Sequence, residues 1–542
     1  MLDTANPPER SKNAPNDAGV EKFDASAVNA GHNRSLYEAR KKIHPKRASG
    51  TFRRFKWWIM AVTLGIYYLT PWLRWDRGSG APDQAVLVDM ANRRFYFFFI
   101  EIWPHEFFYV AGLLVMAGIG LFLVTSTLGR AWCGYTCPQT VWVDLFLVVE
   151  RFFEGDRNAR IKLDSAPWSG SKIAKRSAKH IVWLVISVAT GGAWIFYFAD
   201  APTLIVDVFR GTAVAEAYIT IAILTATTYI FGGLMREQVC TYMCPWPRIQ
   251  AAMLDENSLT VTYNPWRGEQ RSRHMKRMRR DGKSVGDCVD CNACVAVCPM
   301  GIDIRDGQQM ECITCALCID ACDGVMSKLG LEKGLIAYST LNDYAANMEL
   351  AGVRGSIGEI TSAESYSQVD PSRIRGEDGK LSKQIATTSW RSIFRPRTYL
   401  YAAIYAGIGL AILTVLAMRE TLDVNILHDR NPLFVRLSDG SIRNGYELKI
   451  LNMRGEVRQF WVEIEGLEGA VMKLAGSQNK ATESLLVEVD ADKLRAIKLY
   501  LTLPAKAIDA TRTNFSFRVT ALLGSEATTS RATFEAPKEL AK

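Results

Sequence analysis

Cys288-Val-Asp-Cys291-Asn-Ala-Cys294-Val-Ala-Val-Cys298-Pro299 decides the reading of this chain. After thirteen residues comes its echo, Cys312-Ile-Thr-Cys315-Ala-Leu-Cys318-Ile-Asp-Ala-Cys322. The C-x2-C-x2-C-x3-C spacing thus occurs twice, the pattern that holds two [4Fe–4S] clusters. Three thiolates at x2 spacing wrap one face of a cube, and the fourth cysteine of each run leaves to ligate the other cube. Cys288, Cys291, Cys294 and Cys322 are therefore assigned to one cluster, and Cys298, Cys312, Cys315 and Cys318 to the second. Paired Zn sites, the alternative, show two Cys pairs parted by a long spacer rather than tight triplets. The stretch reads as an electron carrier.

The other four of the twelve cysteines form two further pairs. Cys133-Gly-Tyr135-Thr-Cys137-Pro138 and Cys240-Thr-Tyr242-Met-Cys244-Pro245 both read C-x-Y-x-C-P. Both follow an arginine (Arg130, Arg236), and they stand 107 residues apart. Each ends an apolar run, so a diverged duplication is expected, with hairpins in 107–199 and 216–256. On a helix, thiols at i and i+4 share one face, and proline after the second frees the helix end. Side-by-side packing would gather the four thiols. Soft thiolates suit Cu(I), Zn(II) or an iron–sulfur cluster, with Met243 as an added thioether, and the spacing leaves the metal open. The alternative is four buried small apolar side chains.

A chain of 542 residues, 48% of them hydrophobic, suits several domains that combine membrane helices with water-soluble parts. Five α-helical transmembrane spans are expected, at 57–73, 107–128, 181–199, 216–235 and 399–418. Lys and Arg crowd 1–56 and 129–180, whereas 76–106 carries only Arg77, Arg93 and Arg94, and 200–215 only Arg210. The positive-inside rule then puts 1–56, 129–180 and 236–398 in the cytoplasm of a bacterial inner membrane, amino terminus inside and carboxyl terminus in the periplasm. Cluster ligation in a reducing compartment agrees with that orientation. The net charge of +9 reads as topology signalling and contact with membrane lipid, with no nucleic acid as partner. The basic stretch 267–283 is expected on anionic lipid heads, with 141–153 and 249–254 along the interface. Residues 93–100 read as an external interfacial segment, and His105 with Glu106 as a satisfied pair rather than a metal site.

The expected organisation is a tail (1–56) disordered over its first 33 residues, a four-helix membrane domain (57–256) and a two-cluster bacterial ferredoxin-like domain (257–338). A polar, loosely folded insert (339–398) and the fifth helix (399–418) follow. In 420–542, alternating segments at 446–451, 459–464, 485–489, 497–503 and 515–522 suggest a periplasmic immunoglobulin-like β-sandwich of about seven strands.

With these residues in place, the chain resembles the FixG/CcoG/RdxA family of membrane iron–sulfur proteins, associated with assembly of cbb3-type cytochrome oxidase. The likeness covers both C-x3-C-P motifs, the two-cluster run with its Cys322-Asp323-Gly-Val-Met ending, and the immunoglobulin-like tail. Asp323 stands where many soluble ferredoxins have proline. The resemblance implies a cupric reductase that turns Cu(II) into Cu(I) on the cytoplasmic side. Cys133, Cys137, Cys240 and Cys244 would form the copper site, with copper-transport and oxidase-assembly proteins as partners; a homo-oligomer is compatible with it. A quinol-linked electron conduit to a periplasmic reductase, or a non-catalytic assembly scaffold, are the other readings. There is no C-x-x-C-H haem site and no nucleotide-binding glycine loop, which leaves the electron donor open.

Overall fold

The computed structural model describes residues 19–29, 41–78, 81–361, 364–376, 381–389, 392–477 and 480–540. They fall into two compact units, one made of 1–72, 86–96 and 102–410, the other of 73–85, 97–101 and 411–542.

In the first unit, apolar runs become long helices with exposed side chains. Among the described residues, four helices are long and apolar enough to cross a membrane: Pro104–Leu128, Gly170–Ile195, Ala215–Met235 and Pro396–Ala417. They answer to four of the five expected spans. The remaining one, 57–73, falls in the Thr51–Leu69 helix and the short turn Thr70–Trp72. That helix opens with Arg53, Arg54 and Lys56, so its apolar part is shorter; Trp58, Val62, Ile66 and Leu69 on it are exposed. Within the supposed interfacial segment 93–100, Arg94–Phe97 is the middle strand of a three-stranded sheet. Glu106 is buried and accepts the Trp103 backbone N–H at 3.1 Å, closing the turn that starts the next helix.

The cysteine-rich stretch forms a small domain with its own core, including Val261, Tyr263, Val289, Val295, Ile304, Met326 and Ile336. Strand Thr260–Tyr263 pairs antiparallel with Ile336–Ser339 and closes it. Two expectations change here. Residues 1–18 and 30–33 of the supposedly disordered tail lie outside the described residues, but 19–29 pack on this domain. Val20 is buried in its core, the Phe23 amide donates to the Cys291 carbonyl at 2.9 Å, and Lys22 pairs with Asp290 at 2.9 Å. A few apolar residues in a polar stretch suffice once a surface waits for them. The insert 339–398 likewise has a core: Tyr344, Met348, Val353, Ile360, Tyr366, Val369 and Ile374 gather around Trp266. Its polar composition hid how its few apolar residues converge.

Within the basic stretch 267–283, expected on lipid heads, one arginine turns inward. Arg267 is buried, pairs with Asp287 at 2.7 Å and donates to the carbonyls of Glu332 and Lys333. Arg279 holds the same Asp287. Arg277 and Arg280 remain at the surface.

The second unit is a two-layer antiparallel sandwich. One sheet runs in the order Val471–Leu474, Leu494–Leu503, Ile442–Asn452, Leu422–His428, with Val435–Arg436 also paired to Ile442–Asn452; the other runs Ser484–Val489, Arg458–Glu465, Arg512–Ala521, Ala527–Glu535. Tyr446, Leu448, Phe460, Val462, Leu499 and Phe517 fill the space between them. The five named sequence segments fall in strands, except that Leu522 lies just past the end of Arg512–Ala521. Ala527–Glu535 escaped notice because its Ala, Thr and Ser carry little apolar signal.

Candidate iron–sulfur and thiol site

The two cysteine runs fold into matching loops. Asp290 and Asn292 in the first, Thr314 and Ala316 in the second, all have positive φ (47°, 57°, 51° and 59°). L-residues rarely adopt this conformation; alternating it with ordinary residues turns successive N–H groups inward into an anion-binding nest. The Thr314 N–H, for instance, points to Cys312 Sγ at 3.4 Å. Two cavities result. One, of about 340 Å³, is lined by Cys288, Cys291, Cys294 and Cys322. The other, of about 380 Å³, is lined by Cys298, Cys312, Cys315 and Cys318, with Cys294 at its edge. These are the quartets expected from spacing, and inward N–H groups beside four thiols suit an anionic cluster. Arg305, paired with Asp303 at 2.6 Å and Asp290 at 2.9 Å, brings positive charge to the first quartet.

Both C-x3-C-P motifs have one local geometry. Each apolar helix ends at a residue of positive φ, Gly129 (60°) and Arg236 (48°), four residues before the first cysteine. A single π turn follows in each, Trp132–Thr136 and Val239–Met243. The Cys137 amide donates to the Trp132 carbonyl at 2.9 Å and the Cys244 amide to the Val239 carbonyl at 2.8 Å. The α-helical i, i+4 geometry expected from sequence is therefore replaced by a wider turn, of the kind that recurs at functional sites. Proline then starts the next helix, Pro138–Glu154, and precedes Trp246–Met253. The internal repeat is structural as well as verbal.

These turns bring the four thiols near one another, though among the described residues no three of them stand close enough together to hold one metal ion. Burial pushes the Cys133 thiol up to about 12, with Cys137, Cys240 and Cys244 adding to the rise and Arg130 opposing it. Burial likewise raises Cys240 to about 12, helped by Cys137, Cys244 and Glu237. Without metal the Cys133 and Cys240 thiols stay protonated, and Cys133 Sγ donates to the buried Gln250 Oε1 at 3.0 Å. Met243 is 51% exposed and is absent from the apolar cluster around Cys133 and Cys240, so its expected thioether contribution finds no support.

Sequence reading missed how the thiols meet the cysteine-rich domain. Cys133 and Cys240 share one apolar cluster with Cys298, Cys312 and Cys315 of the second quartet. Arg130 Nη1 donates to the carbonyls of Met310 and Cys312, and Nη2 to that of Pro247 beyond the second motif. The Tyr338 hydroxyl donates to the Thr314 carbonyl at 2.8 Å and stands 3.4 Å from that of Tyr135. The shared arginine and tyrosine of the motifs were the signals available.

The helix after the first motif, Pro138–Glu154, carries charge inward. Arg53 Nη1 grips both oxygens of Asp144 at 2.8 and 2.9 Å. Glu150, fully buried, accepts from Arg160 at 2.7 Å and from Arg236 at 2.9 Å, with Lys179 3.6 Å away. Arg236 belongs to the second repeat and Glu150 to the first, so this pair ties the halves together.

Comparison with known proteins is consistent with this geometry. A model for a 4Fe-4S dicluster domain matches residues 235–341, one for a 4Fe-4S binding domain matches 110–154, and one for the IG-like fold at the C-terminus of FixG matches 412–537. The nitrogen fixation protein FixG of Rhizobium meliloti is 64% identical over 488 residues, 90% of this chain and 91% of that protein. The chain belongs to the FixG/RdxA family. RdxA and RdxB of Cereibacter sphaeroides are 52% and 51% identical, across 88% and 86% of this chain and 92% and 90% of theirs. This FixG/RdxA chain is an iron–sulfur oxidoreductase of a membrane, with an immunoglobulin-like C-terminal fold.

Proposed function

We propose that the chain reduces Cu(II) to Cu(I) at the thiol site formed by Cys133, Cys137, Cys240 and Cys244. The observation that carries the reading is the shared packing of Cys133 and Cys240 with Cys298, Cys312 and Cys315. Iron–sulfur clusters, held by the two cysteine quartets, supply one-electron carriers there. Cys133 and Cys240, protonated until then, release their protons as copper enters. As soft ligands they favour Cu(I) over Cu(II), which raises the driving force for adding one electron to Cu(II). Arg130 ties both motifs to the Met310–Cys312 backbone. Gly134 allows the first π turn to touch the Ile313–Cys315 loop.

In this reading the Thr51–Leu69 helix is a fifth span, the thiols and quartets face the cytoplasm, and the sandwich is periplasmic. Cu(I) then passes to copper-transport and assembly proteins of a cbb3-type oxidase, as the family resemblance implies. Protein reduced with dithionite and freed of excess reductant should convert about two Cu(II) per chain to Cu(I), one per cluster, read with a Cu(I)-specific chelating dye. No conversion above that of oxidised protein sinks the proposal. A second reading has one specific support, the 4Fe-4S binding model across 110–154: the four thiols hold a third cluster instead.

A further inference from the structure

A cavity of about 560 Å³ lies beside the thiol site, under the 45–48 segment and against the Thr51–Leu69 and Pro138–Glu154 helices. It is larger than the cavities of about 340 and 380 Å³ lined by the two cysteine quartets. Val143, Leu147 and Leu317 give it apolar walls, and Cys240 reaches its edge. Among its described lining residues are five Lys or Arg side chains against two carboxylates, Asp144 and Glu237.

A donor there lacks an acceptor. Arg53 is 95% buried, and while its Nη1 holds Asp144, its Nη2 is buried without a hydrogen-bond partner. Lys56, 97% buried, shares the same carboxylate, with its Nζ 4.0 Å from Asp144 Oδ2, and adds positive charge beside it. Buried donors left unpaired are costly and mark where an oxygen acceptor belongs. The positive excess disfavours a cation, so this is no route for copper.

We propose that the cavity binds the head group of a membrane quinone, with a ring carbonyl accepting from Arg53 Nη2 and the ring against the apolar walls. A phosphate would satisfy the donor and leave those walls unmatched. Arg53 stacks on Trp57 with the guanidinium carbon 4.7 Å from the ring centroid, and exposed apolar surface starts beside it at Trp58, giving an isoprenoid tail a way out. Each hydroquinone oxidised there becomes quinone by releasing two protons to water and two electrons. The iron–sulfur clusters accept the electrons one apiece. The cavity's Ile313 and Leu317 flank Cys315 of the second quartet. The proposal rests on the iron–sulfur character of the chain and not on copper as the acceptor.

The test uses the full chain in detergent, with decylubiquinone as probe and tryptophan fluorescence as readout. Saturable quenching is expected, with affinity at least tenfold weaker in Ala48→Phe, which fills the cavity, and in Arg53→Gln. Ala48→Phe guards against Arg53→Gln failing to fold. Anaerobic decylubiquinol should also bleach the iron–sulfur absorbance at least tenfold more slowly in both variants, while dithionite bleaches them as it does the unaltered protein. Unsaturable quenching, or equal affinity in properly folded variants, overturns the proposal. So does loss of a co-purifying anionic phospholipid from Ala48→Phe with decylubiquinone binding unchanged, which would mark a lipid headgroup site. Copper reduction by dithionite-reduced protein is independent of every one of these readouts.

Discussion

Gly134 and Cys315 touch backbone to backbone: a Cβ at position 134 would lie 3.1 Å from both the Cα and the amide nitrogen of Cys315, and 2.6 Å from the Ile313 carbonyl oxygen. Real Cβ atoms do not approach backbone so closely, so any larger residue must push the π turn away from the cysteine loop. The position equivalent to Gly134 in the second motif is Thr241, half-buried and already carrying a side chain. Gly134→Ala should therefore lower Cu(II) reduction by dithionite-reduced protein at least tenfold, whereas Thr241→Ala stays within twofold. Stopped-flow measurement of both variants checks the asymmetry; equal effects would mean that the contact does not matter.

Copper capture at the thiol site should depend on pH. Burial holds the Cys133 and Cys240 thiols up at about 12, so at neutral pH each must lose a proton to become a ligand. Binding then releases protons, and apparent Cu(I) affinity should climb about tenfold per pH unit for each proton released, throughout the range below about 12. Calorimetry in buffers of different ionisation enthalpy counts those protons. An affinity independent of pH from 6 to 8 would rule out thiolate ligation.

Glu150 joins the repeats, and its loss should be felt as instability. Burial pushes its carboxyl up, but Arg236 and Arg160 outweigh burial and hold it at about 2, below the usual 4.5. A depressed folded-state value means that the stabilisation is present above about 4.5 and is lost as pH falls towards about 2. Glu150→Gln leaves buried guanidinium groups without their counter-charge, a change worth about 3–5 kcal/mol. Thermal unfolding in detergent at neutral pH should show a clearly lowered midpoint, with the gap to the unaltered protein narrowing in acid. An unchanged midpoint would contradict the tie.

Much of this was written in one dimension. The cysteine quartets follow from spacing because the x2 loops are local, and each run alone dictates its turn. The repeat of the C-x-Y-x-C-P motifs was equally legible. What spacing could not reveal was non-local. The π turns depend on Gly129 and Arg236 taking positive φ, which for Arg236 needs the Glu150 carboxylate and the Gln139 side chain against its carbonyl. Arg267 looked like one more surface cation until Asp287 came to meet it. Residues 19–29 and the insert around Tyr344 have too few apolar side chains to announce a core, since the surface they cover lies elsewhere in the chain.

The most direct measurement joins iron content and copper chemistry in one variant, with Cys133, Cys137, Cys240 and Cys244 all changed to Ser. Iron should remain at the level of the unaltered protein while dithionite-driven Cu(II) reduction is lost. Iron reduced by about a third, or copper reduction left intact, would contradict the assignment of those four thiols to copper.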